Sequence, residues 1–79
     1  MDLWEYYERV EALILSLREA GCSDEADQVE VAIRGGATAG EILGRLSLTL
    51  PGVAASAPRL EGEVNVLVSW TKKALRRRR

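Results

Sequence analysis

The run Arg34-Gly-Gly-Ala-Thr-Ala-Gly-Glu-Ile-Leu-Gly-Arg-Leu, residues 34–46, joins one helical pattern to the next. Gly35-Gly36 stop the first pattern, and Thr38 with Glu41 write the start of another. In this capping box the Thr38 hydroxyl accepts from the Glu41 amide while the Glu41 carboxylate reaches back to the Thr38 amide. The hinge falls near mid-chain and sets how the halves fold together.

Working towards the N-terminus, residues 2–20 read as a first helix. Steps of 100° gather Leu3, Tyr6, Tyr7, Val10, Leu13, Ile14 and Leu17 on one face. Glu5, Glu8 and Glu19 point away. Gly21 reads as a left-handed stop, and Cys22 falls where a Schellman cap puts an apolar contact. That gives Cys22 a packing role in preference to a reactive one. Ser23 is expected to cap a second helix, with Asp24, Glu25 and Asp27 in its first turn and Ala26, Val29 and Ile33 as its apolar stripe.

Towards the C-terminus, a third helix runs from about Ala39 to Leu50 and buries Ile42, Leu43, Leu46 and Leu50. Pro51-Gly52 is expected to end it, leaving residues 51–58 as the longest loop. Pro58 then stands in the first turn of a fourth helix over roughly 58–76. Leu60, Val64, Leu67, Val68, Thr71, Ala74 and Leu75 share a face there. The valine content of residues 64–68 makes a strand the rival reading, and the seven-position helical match outweighs it. The expectation is an all-α fold, a small bundle of three to four amphipathic helices in a single domain over residues 1–79.

Composition narrows the chemistry. The 79 residues include one cysteine and no histidine. An intrachain disulfide is impossible, imidazole-based catalysis is excluded, and zinc sites lose their usual ligands. The acidic start, Met-Asp-Leu-Trp-Glu, does not resemble a signal peptide, and no apolar run approaches the ~20 residues that span a bilayer. The expectations are a cytoplasmic protein, no cofactor, no metal and no enzymatic activity. Nine Arg against two Lys, with much Ala and Gly, hint at a GC-rich bacterial or phage source.

Net charge is −1, yet all twelve acidic residues lie in residues 1–63 and leave that part at −7. Residues 64–79 carry +6, from Lys72, Lys73 and the basic tail Arg76, Arg77, Arg78 and Arg79. An acidic body suits a basic partner or imitates nucleic acid towards a protein that binds it. The tail, for its part, suits phosphates, an anionic membrane surface, the protein's own acids or plain solvation. Carboxylate pairs such as Glu5/Glu8, Glu8/Glu11 and Asp27/Glu30 read as solvated faces, because nothing apolar separates their pKa values.

Gly35-Gly36-Ala37-Thr38-Ala39-Gly40 superficially resembles a phosphate cradle. A helix precedes it where a P-loop needs a strand, no Gly-Lys-Ser/Thr follows, and Glu41 would repel phosphate. Gly36, Gly40 and Gly44 recur every four residues, a spacing that invites close approach by a neighbouring helix. Trp4, Leu15, Val31, Leu48, Val66 and Trp70 fall off the core faces. Val66 and Trp70, one turn apart, are the best candidates among them for a partner contact.

Leu17-Arg-x-Ala-Gly21, Glu25-Ala-Asp27 and Gly36-x-Thr38-x-x-Glu41-Ile-Leu-x-x-Leu46 together resemble small uncharacterised helical proteins of bacteria. The resemblance covers about half the chain and implies no activity. The Pro-Gly segment and the fourth helix stand outside it.

The expected function is a small protein-binding inhibitor or regulator, of the kind phages and plasmids carry as anti-CRISPR, antitoxin or immunity factors. Glu5, Glu8, Val66 and Trp70 are its candidate contact residues. The alternative is a nucleic-acid-binding module using Lys72, Lys73 and Arg76 to Arg79. A homodimer is a third reading.

Overall fold

The computed structural model describes residues 1–77. Four helices account for nearly all of them: α1 Leu3–Glu19, α2 Ser23–Arg34, α3 Ala39–Ser56 and α4 Glu61–Arg77, with a 3₁₀ turn at Pro58–Leu60 before the last. Residues 64–68 are helical, and no strand occurs among the described residues. The fold is a small all-α bundle with principal extents of 36 × 23 × 20 Å.

The turns follow from local chemistry. Asp2 caps α1 by accepting from the Glu5 amide at 2.8 Å. Gly21, at φ 79°, ends α1. The Cys22 amide donates to Leu17 O at 2.8 Å and the Gly21 amide to Arg18 O at 3.1 Å, the paired bonds of a Schellman motif. Cys22 is thereby turned onto the core. It also takes the N-cap position of α2, so Ser23, expected as the cap, is the first helical residue. Thr38 caps α3 and accepts from the Glu41 amide at 3.2 Å. The Glu41 carboxylate, expected at the Thr38 amide, accepts instead from the Ala37 amide at 3.3 Å.

The larger correction lies at Pro51-Gly52. They do not end α3, which continues through Pro51 to Ser56, so residues 51–56 are helix and no long loop exists there. Pro51 is exposed, while Val53, Ala54 and Ala57 are buried. An interior proline costs about 3 kcal/mol. Burying Val53 and the Ala54 and Ala57 methyls contributes roughly as much, at about 0.8 kcal/mol per buried carbon group. Core burial therefore carries the helix past its breaker.

The helices pack in chain order. α3 lies between α2 and α4 and makes the most extensive contacts, α1 leans on α2, and α1 meets α4 along a thinner seam. Tyr6, Val10, Leu13, Leu17, Val29, Leu43, Leu46, Leu50, Val53, Val64 and Leu67 fill the interior. Ala32 is buried on α2, whereas Ile33 packs at the core's edge. Gly36 and Gly44 do not admit a neighbouring helix. A Cβ at Gly36 would meet Ile42 of the hinge itself, and a Cβ at Gly44 would meet nothing within 4 Å.

A chain of exposed ion pairs links α1 to α2. Arg18 bonds Asp27 at 3.0 Å and Glu30 at 3.2 Å, and Arg34 bonds Glu30 at 3.3 Å and Glu11 at 3.1 Å. The Glu11 hydrogen bond, and after it the Glu11 charge, push the Arg34 pKa up from its ordinary value. Of the carboxylates read as solvated faces, Glu11, Asp27 and Glu30 are engaged by these arginines while remaining at the surface.

Candidate functional site

Of the residues that sequence reasoning singled out, the α1–α4 seam collects Val66, Trp70, Lys73 and Arg77, with Glu5 beside it. Thr71 is buried on α4, and its hydroxyl donates to Leu67 O at 2.6 Å, the back-bond available to a mid-helix threonine. Tyr6 Oη lies 2.6 Å from the same Thr71 oxygen. Thr71 has one hydroxyl hydrogen and gives it to Leu67, so Tyr6 is the donor. Burial pushes the Tyr6 phenol up to about 12. The Thr71 hydrogen bond opposes the shift and Tyr7 adds to it.

Trp70 extends this clasp. Its ring stacks on Tyr6 with centroids 4.4 Å apart and planes 21° from parallel. Its Nε1–H donates to the Met1 carbonyl oxygen at 2.9 Å. Trp70 is half-buried, its inner face and its polar atom both engaged. Val66, one turn earlier, stays 51% exposed.

Two grooves open along the seam, one on each side of the stack. The first, about 420 Å³, is lined by Leu3 of α1, Leu43 of α3 and Trp70, Lys73, Ala74 and Arg77 of α4, with Met1 at its edge. The second, about 250 Å³, lies between Arg9 and Ala12 of α1 and Glu63, Val66 and Leu67 of α4. Glu63, Val66, Trp70, Lys73 and Arg77 are spaced 3, 4, 3, 4, so they form one stripe of α4 facing both grooves. Glu5 stands beside the second groove through its ion pair with Arg9 at 3.4 Å. Glu8 is exposed and lines neither groove.

Lys72 and Arg76 face the other side of α4, where with Ser47 and Leu75 they line an open depression of about 580 Å³. Lys72, Lys73, Arg76 and Arg77 are exposed, and none forms an ion pair among the described residues. Arg78 and Arg79 lie outside the described residues.

Sequence reasoning missed the clasp and the grooves. The 3-4-3-4 stripe was there to be read, but its meaning depended on which helix lies alongside. Among the described residues, no group of three or more His, Cys, Asp or Glu is placed to hold a metal ion, and no helix is long and apolar enough to cross a membrane. The arrangement is suited to shape and charge recognition: an aromatic wall, an aliphatic floor and two cations at the rim. Comparison of the chain with protein-family models, curated proteins and solved structures found no match.

Proposed function

We propose that this chain is a small, non-enzymatic, cytoplasmic protein that inhibits or regulates another protein by binding it along the α1–α4 seam. The observation that carries this reading is the α4 stripe, in which exposed Val66 and half-buried Trp70 border open grooves with Lys73 and Arg77 at one end. Apolar and aromatic anchors inside a charged rim are the anatomy of protein contact surfaces. Anti-CRISPR, antitoxin and immunity proteins are the class this size and composition suit.

A second reading rests on a separate observation, the four exposed cations of the last two turns of α4. They suit phosphates contacted without base specificity.

Affinity capture from host lysate separates the two, using wild type, Val66→Glu and a Lys72/Lys73/Arg76/Arg77→Glu variant, each with and without nuclease. The protein-binding reading expects a stoichiometric protein that survives nuclease and is lost with Val66→Glu. Recovery that vanishes with nuclease and with the charge-reversed variant replaces it by the nucleic-acid reading. Binding to DNA would then weaken with salt at a log–log slope of about −3 to −4 for four phosphate contacts.

A further inference from the structure

Trp4 stands outside the core. It is 74% exposed, and Leu15, eleven residues on and therefore on the same side of α1, is 63% exposed. Because Leu3 lies beside Lys73, Ala74 and Arg77 while Arg9 and Ala12 lie beside Glu63, Val66 and Leu67, α1 and α4 run antiparallel. The first turn of α1 therefore sits at the same end of the bundle as the last turns of α4. That end carries four complementary features. They are an exposed indole, the exposed carboxylates of Glu8 and of Glu5 (the latter in a surface ion pair with Arg9), the 420 Å³ groove beside Trp70, and the cations Lys73 and Arg77 that line it.

An end of the bundle that holds both a knob and a hole, and both acids and bases, offers matching features to a second copy of itself. Self-complementarity is what a twofold interface requires, since each copy presents the same surface. We infer that this chain forms a twofold dimer in which Trp4 of each copy enters its partner's groove. Glu5 and Glu8 then face the partner's Lys73 and the partner's Arg77. Indole beside ammonium and guanidinium also gains a cation–π contact. A standard interface covers about 800 Å² per partner, roughly one-sixth of the 4836 Å² surface of this chain. With a net charge of −1, the copies repel each other little.

Sedimentation equilibrium of the full-length chain from about 1 to 300 µM, at low and high salt, tests the inference. The wild type is expected to reach twice its 8.7 kDa mass, with weaker association at high salt. Trp4→Ala is expected to weaken association at least tenfold with unchanged helical circular dichroism, because Trp4 is largely exposed and lies outside the core. A Glu5→Lys/Glu8→Lys variant and a Lys73→Glu/Arg77→Glu variant should each be monomeric. Mixed in equal amounts they should dimerise, because both contact sets of the mixed dimer are then matched.

A wild type that stays monomeric throughout overturns the inference, whatever foreign segment fills the groove. So does a dimer indifferent to Trp4→Ala, or folded charge variants that fail to associate when mixed. A monomeric result leaves the reading of a foreign protein partner standing, because the capture experiment scores that separately.

Discussion

Tyr6 donates a hydrogen bond to Thr71 across 65 positions of sequence, and Thr71 passes its own hydrogen to the Leu67 carbonyl. The relay is buried and every polar atom in it is used. It is a buried polar contact between α4 and α1, which meet along a thinner seam than α1 and α2 do. The Trp70 stack and its bond to Met1 depend on the same alignment.

Thr71→Val is expected to be the more damaging single change in this relay. It keeps the shape but leaves the buried Tyr6 hydroxyl without an acceptor, a loss of about 1–3 kcal/mol. Tyr6→Phe leaves Thr71 bonded to Leu67 and should cost only about 1 kcal/mol. The double variant should lose less than the sum of the two, because it removes the stranded hydroxyl itself. A denaturant-unfolding double-mutant cycle measures this, and strict additivity would show that the two groups do not interact.

Alkaline pH should loosen the same clasp. An unfolded tyrosine ionises near 10, whereas burial holds folded Tyr6 at about 12. Between those values the folded state binds more protons than the unfolded one, so the contribution of Tyr6 is complete below pH 10. It falls as pH rises from 10 and is spent above 12. The full span is worth about 2–3 kcal/mol. Urea midpoints from pH 9 to 12 should fall more steeply for wild type than for Tyr6→Phe, and parallel curves would refute the assignment.

The helical phases were legible because burial on one face imposes a 3.6-residue period. Val10, Leu13, Leu17, Leu43, Leu46, Val64 and Leu67 were all placed in the core from spacing alone. Gly21 and Thr38 were legible because each satisfies a local backbone need. The stop expected at Pro51 was wrong, because the burial of Val53 and Ala54 depends on where α2 and α4 lie. For the candidate site, spacing placed Val66 and Trp70 one turn apart and off the core face, whereas Trp70 packs against the core. That Trp70 is half-spent on Tyr6, while Val66 remains free, follows only from the antiparallel placement of α1. The cations of α4 were legible as charge, and the grooves they border were not.

Pro51 should be a site of easy stabilisation. Within α3 it supplies no N–H to the Ser47 carbonyl, and it is exposed, so no packing holds it in place. Replacing an interior proline by alanine gains about 3 kcal/mol of helix propensity. The freer unfolded chain takes back about 0.4–1 kcal/mol. Pro51→Ala is therefore expected to stabilise by about 2 kcal/mol. Thermal unfolding at unchanged helical signal checks it, and a lower Tm would mean that the proline shapes α3 in a way its neighbours require.

Two glycines of the 34–46 hinge should respond in opposite directions to the same substitution. Gly44 lies inside α3 with open space where a Cβ would stand. Gly44→Ala restricts the unfolded chain without a clash and should stabilise by about 0.5–1 kcal/mol. At Gly36 a Cβ would come within 2.7 Å of Ile42 Cγ1 and 2.9 Å of the Ile42 backbone nitrogen. A side chain can turn aside, but the amide belongs to the first turn of α3 and donates to Thr38 O at 3.0 Å. Gly36→Ala must push that turn away and should cost about 1–3 kcal/mol. In a domain of this size each kcal/mol moves Tm by about 4–8 °C, so the two variants should melt on opposite sides of wild type. Equal melting temperatures would show that the hinge yields freely and does not set the angle between α2 and α3.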